Sequence, residues 1–180
     1  MEILNTKKLT EAAMLSTIFV IVSIIAIYTG IAYTIYLDMG VPILIVLLYL
    51  KLGVKYSILS AITSLFIVLF SSGNLVAAIW MSQGILIGFI CAYFITKEGT
   101  VLDDLFHCSI LGCFVLILVD VYFSKLTGYS FMKEFKEYAN FFHMNDEVFE
   151  TAFYVLVATI PLGTTLVVYI GSLILGKRLE

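Results

Sequence analysis

Ile31–Leu50 reads IAYTIYLDMGVPILIVLLYL, and the interpretation of the chain turns on it. It is apolar and, at about 20 residues, long enough to cross a bilayer, yet it carries Asp38 and then Gly40-Val41-Pro42. A carboxylate at the middle of a membrane helix costs roughly 2.5–3.5 kcal/mol on insertion scales. Such a group faces a bundle interior and marks a site by default. Tyr28, Tyr33 and Tyr36 precede the acid, and Gly40 and Pro42 follow it. Those two helix breakers free backbone groups that need partners inside protein or a wet cavity. The remaining segments read as walls around this one.

The totals agree with a membrane protein. The chain has 180 residues, of which 62 % are hydrophobic and 13 % charged, whereas average globular chains are about 45–50 % apolar. Its charges fall at the ends of apolar runs, and a net charge of -3 argues against nucleic acid as a partner. Two prolines and no low-complexity tract leave no linker, so residues 1–180 read as one membrane domain. Cys91, Cys108 and Cys113 form no CxxC pair, and neither a metal nor a cofactor is expected of them. Lys7-Lys8 before an apolar run has the outline of a secretory signal. The run, however, stays uncharged from Ala12 to Leu37 and lacks a small-x-small cleavage site, so it reads as a first crossing.

Six crossings are expected, at about residues 9–28, 31–50, 54–70, 75–95, 104–124 and 146–175, with a kink at Pro161 in the last. In that arrangement Lys7, Lys8, Lys51, Lys55, Lys97, Lys177 and Arg178 share one side. Only Lys125, Lys133 and Lys136 fall on the other. The excess places both termini in the cytoplasm of a multi-pass cell-membrane protein. Between the last two crossings, at about residues 130–142, Phe131, Met132, Phe135, Tyr138, Ala139 and Phe142 recur at helical spacing. Lys133, Glu134, Lys136, Glu137 and Asn140 stand opposite. That pattern predicts an amphipathic helix at the outer interface, either a connector on lipid headgroups or a lid over a pocket.

The polar residues inside the crossings are the candidate site. Counting ~1.5 Å per residue, Asp38 lies roughly 10 Å, and Asp120 roughly 8 Å, below the outer ends of helices running in opposite directions. Each acid alone could be bonded structurally. Together they suggest an outward-facing pocket for a substrate amine, cation or hydroxyl. The fourth crossing adds Asn74 at its outer end, then Trp80 and Gln83 three residues apart on one face. Pocket lining and ordinary interhelical bonding are equally good readings of that pair. Gly84, Gly88 and Ala92 make a small-residue stripe for close packing, and Ala12 with Ser16 makes another on the first crossing, suited to docking a membrane partner.

Enzymatic alternatives are weaker. Asp38 and Asp120 could form an intramembrane aspartyl-protease dyad, but Asp38 sits in Leu-Asp-Met-Gly rather than Gly-x-Gly-Asp. His107 and Cys113 could serve a cysteine peptidase, although a spacing of six does not put them on one helix face. No Walker A sequence is present, so the chain cannot itself hydrolyse ATP. No catalytic residue is assigned.

The opening KKLTEAAMLSTIF resembles the start of the substrate-binding S components of energy-coupling factor (ECF) transporters. Tyr49-Leu50-Lys51-Leu52-Gly53, the Gly-rich fourth crossing closed by Tyr93-Phe94-Ile95-Thr96-Lys97, and Thr127-Gly128 before a charged amphipathic segment are similar to their YybS-like relatives. The resemblance implies a six-helix bundle that captures a vitamin-like small molecule from outside. A transmembrane coupling subunit and two ATPases would then drive uptake. It also implies docking through Ala12 and Ser16, where serine replaces the second alanine of the family's Ala-x-x-x-Ala motif. The pocket would draw on Asp120, Trp80, Gln83 and Tyr33, with Asp38, Tyr36 and Asn74 added from the residues themselves. The alternative is a non-transport scaffold or assembly subunit on the same fold.

Overall fold

A computed structural model describes residues 6–30, 36–97, 99–128, 130, 133, 136, 137, 140 and 145–176. Among them every regular element is helical. The order is α1 (Thr6–Thr29), a π-helix (Tyr36–Gly40) running directly into α2 (Val41–Leu52), α3 (Val54–Ser72), α4 (Leu75–Thr96), α5 (Val101–Thr127) and α6 (Asp146–Gly176). Five of these, all but α2, are long and apolar enough to cross a membrane. Ile18, Ile25, Phe66, Phe70, Phe106, Phe114, Tyr154 and Ile174 project outward from them, each more than 50 % exposed. A water-soluble bundle would not tolerate so continuous an apolar exterior. The chain is a multi-pass membrane bundle.

Caps and turns follow from identifiable residues. Gly53 alone links α2 to α3, at φ 85°, and its N–H bonds to Tyr49 O. Gly73 closes α3 in the left-handed region at φ 62°, which glycine adopts without a Cβ penalty. Asn74 then caps α4, its Oδ1 accepting from Ala77 N at 3.0 Å. Thr100 caps α5 by accepting from Asp103 N. This cap lies upstream of Asp103-Asp104, so the fifth helix starts three residues earlier than the acids alone suggest.

The second segment departs from a uniform crossing at 31–50. Its described part opens with the π-helix and continues as only 12 α-helical residues, about 18 Å at 1.5 Å per residue, against a hydrocarbon core of about 30 Å. Pro42 is the physical reason. Its nitrogen offers no hydrogen to the Asp38 carbonyl, and its ring would crowd that group in an α-helix. The wider π turn relieves both problems.

This short helix is nevertheless the centre of the molecule. Val41, Ile45 and Val46 are wholly buried, with Phe19 of α1, Val68 of α3 and Met81 of α4 packed about them. Glycines on α4 admit it: a Cβ on Gly84 would stand 2.7 Å from Leu37 O, and one on Gly88 2.8 Å from Pro42 O. Chain ends pair as an up-down bundle requires. Glu11 of α1 meets Lys51 of α2 at 3.9 Å, and at the opposite end Tyr28 Oη donates to Ser71 O of α3 at 3.3 Å. In the 130–142 segment, Lys133, Lys136, Glu137 and Asn140 are helical and exposed. Phe131, Met132, Phe135, Tyr138, Ala139 and Phe142 lie outside the described residues.

Candidate functional site

One cavity, of about 80 Å³, gathers side chains from four elements near mid-bundle. Asp38 comes from the π-helix; Trp80, Gln83, Gly84 and Ile87 from α4; Leu116 from α5; Pro161 and Thr164 from α6. Local sequence explains the aim of each. The π turn sets Asp38 toward α4–α6, while Tyr36 turns to α1, where its hydroxyl meets Ser23 Oγ at 2.9 Å. Gly40 permits that turn, because a Cβ there would come 2.8 Å from the Tyr36 ring. Gly84 lets the Leu37 backbone close against α4. Pro161 falls at the midpoint of α6, 15 residues from each end, and a Cβ on Gly112 of α5 would already be 3.2 Å from its ring.

The cavity is mostly apolar, with two polar groups that stand out. Gln83 is 6 % exposed, and its amide forms no hydrogen bond among the described residues. Asp38 is partly buried, and among the described residues its carboxylate likewise has neither a hydrogen-bond nor an ion-pair partner. Buried polar groups are normally satisfied, so two open ones on a single cavity wall leave room for a guest to complete them. Among the described residues no group of three His, Cys, Asp or Glu is placed to hold a metal ion.

The other candidate residues take different places. Asp120 does not line this cavity. It sits one turn beyond Leu116 on α5, and Ser130 Oγ donates to its Oδ2 at 3.1 Å. Asn74 is exposed and occupied in capping. Tyr36 pins the π-helix to α1. Tyr33 lies outside the described residues. Ala12 and Ser16 are 3 % and 8 % exposed and border a second concavity, a groove of about 410 Å³ between α1 and α3. Exposed Ala13, Thr17, Leu59 and Thr63 line the same groove.

The sequence reading missed three contacts. Asp104, read only as the start of the fifth crossing, is 5 % exposed and accepts a hydrogen bond from Tyr169 Oη at 3.0 Å. Matching the short distances of both residues from the same end of antiparallel helices could have found the pair. Cys113 donates to Val157 O at 3.4 Å, the carbonyl that Pro161, four residues on, cannot satisfy. His107 is engaged elsewhere, its Nδ1 2.7 Å from Asp103 O and its ring stacked on Phe94, so no His–Cys pair forms. Cys91 and Cys108, both fully buried, pack in one cluster between α4 and α5. No family model, curated protein or solved structure matches this chain.

Proposed function

We propose that this protein is a solute-binding membrane subunit, of the kind that ECF transporters use as S components, with the Asp38 cavity as its binding site. The observation that carries the reading is the meeting of Asp38, Trp80 and Gln83 at mid-bundle with two polar groups left open. Transporter sites lie near the bilayer midplane where a helix is broken, and the π turn at Pro42 supplies such a break. Partners would be a transmembrane coupling subunit and two ATPases, since the chain carries no nucleotide-binding sequence. The arrangement is six crossings with both termini cytoplasmic, α2 and the residues before it making the second. The Glu11–Lys51 contact gathers Lys7, Lys8, Lys51 and Lys55 at one end of the bundle, which supports that orientation.

Ligand pockets for drug-sized molecules measure about 300–1,000 Å³, so a cavity of about 80 Å³ cannot hold a vitamin in this conformation. Either the bundle opens for a larger guest or the guest is small. A scaffold role on the same fold draws on a separate observation: the larger concavity faces outward between α1 and α3 rather than into the bundle.

Co-purification from native membranes tests the transport role. Ala12 is buried against α3, so bulk there would damage the subunit itself; exposed Thr17 is the better position. Wild type should retain an ATPase-linked membrane subunit, and Thr17→Trp should lose it while remaining folded. Absence of any ATPase-linked partner would favour the scaffold.

A further inference from the structure

We infer that the guest of the Asp38 cavity is a small protonated amine, of the size of methylammonium or ethylammonium. The inference rests on the reading of that cavity as a binding site and names what it binds. Size comes first. The cavity, at about 80 Å³, falls well below the roughly 300–1,000 Å³ of pockets for drug-sized ligands, which suits a guest of a few heavy atoms. Charge comes second. A carboxylate within the bilayer, unpaired among the described residues, is stabilised by a cation, and every lysine of the described helices lies toward a helix end.

The choice among cations follows from the walls. An alkali ion sheds its water only for a shell of several oxygens, as hard cations demand. This cavity offers the Asp38 carboxylate and the Gln83 carbonyl as acceptors without a partner among the described residues, with the Thr164 hydroxyl beside them, while Ile87, Leu116, Pro161 and Gly84 contribute none from their side chains. An alkylammonium suits that division. Its N–H groups can be shared between Asp38 and Gln83 Oε1, and its one or two carbons meet the aliphatic wall. The indole of Trp80, also on the wall, adds an aromatic surface of the kind that attracts cations. A protonated amine therefore satisfies both open polar groups and buries its alkyl part together.

Trp80 is the only tryptophan, so its emission reports on this cavity without labelling. The purified full chain in detergent, at neutral pH and fixed ionic strength, would be titrated by exchanging N-methylglucammonium, too large to enter, for methylammonium or ethylammonium. A saturable change in Trp80 emission, with a matching rise in thermal midpoint, is expected for both amines. Losing one partner of a buried charged contact costs about 2 kcal/mol or more, so Asp38→Asn should weaken binding by about 30-fold or more. Asp120→Asn, outside the cavity, should change it by no more than about twofold. Should Asp38→Asn fail to fold, Gln83→Met removes the second acceptor and must also weaken binding. Unchanged emission with both amines overturns the inference, as does saturation by sodium or potassium with none by the amines. If the amines fail while a larger solute shifts Trp80 emission in an Asp38-dependent manner, the amine falls and the binding reading stands. If nothing binds through Asp38, both fall.

Discussion

Two of the seams in this bundle are built on opposite principles. Between α2 and α4 the contact is made by omission: Gly84 and Gly88 withhold their side chains so that the Leu37 and Pro42 carbonyls can close on α4. Between α5 and α6 it is made by bonds. Ser109 and Thr165 hydroxyls meet at 2.9 Å, Cys113 takes the Val157 carbonyl and Tyr169 reaches Asp104. In lipid no hydrophobic effect draws helices together, so close packing and interhelical hydrogen bonds are the two available means. This chain assigns one to each side. The cavity lies where they meet, Gly84 belonging to the first seam and Pro161 to the second.

The contrast can be broken most easily at Gly88. A leucine there would be forced against backbone oxygen and the Ile45 side chain. Overpacking of this kind costs about 3 kcal/mol or more when backbone must shift, so Gly88→Leu should lower the thermal midpoint in detergent more than any change on the other seam. Tyr169→Phe comes next. It leaves the buried Asp104 carboxylate without its donor, a loss of about 1–3 kcal/mol, and Asp104→Leu in the same background should recover part of it. Smaller still is the hydroxyl pair. A double-mutant cycle on Ser109→Ala and Thr165→Val should give a coupling near 0.6 kcal/mol, the average for interhelical bonds in membranes. Lys51→Ala should be close to neutral, since the Glu11–Lys51 pair is long and half exposed. If the Ser109 cycle exceeded the Gly88 effect, the division of labour would be reversed, with polar bonds dominating the whole bundle.

Helix ends were legible in the sequence because their signals are local. Gly53, Gly73-Asn74 and Lys97 stop or start helices within one to two residues of where composition puts them. The stripe of Gly84 and Gly88 was legible too, since small residues four apart leave little else to do in lipid. Depth was partly legible: Asp38, Trp80 and Gln83 do reach one cavity. Rotation was not. Counting residues from a helix end says nothing of which neighbour Asp120 faces, and Ser130 proves to be one partner. The walls from Leu116, Pro161 and Thr164 were invisible for the same reason. Asp104 passed unnoticed because an acid at a helix start has an ordinary explanation as a boundary, and only its bond to Tyr169 shows otherwise.

The π turn at Tyr36–Gly40 has a meaning beyond the break it makes. Relative to a regular helix it is a phase slip, one residue gained within a turn. A helix of constant phase gives each neighbour one fixed stripe, and a residue shifted by one points about 100° away. Within six residues the slipped segment addresses three neighbours: Tyr36 answers α1, Leu37 and Val41 answer α4, and Asp38 answers the space between α4, α5 and α6. A helical-wheel projection drawn through 31–50 therefore averages two incompatible registers. What looks in such a plot like an acid misplaced on a greasy helix is a side chain read in the wrong phase.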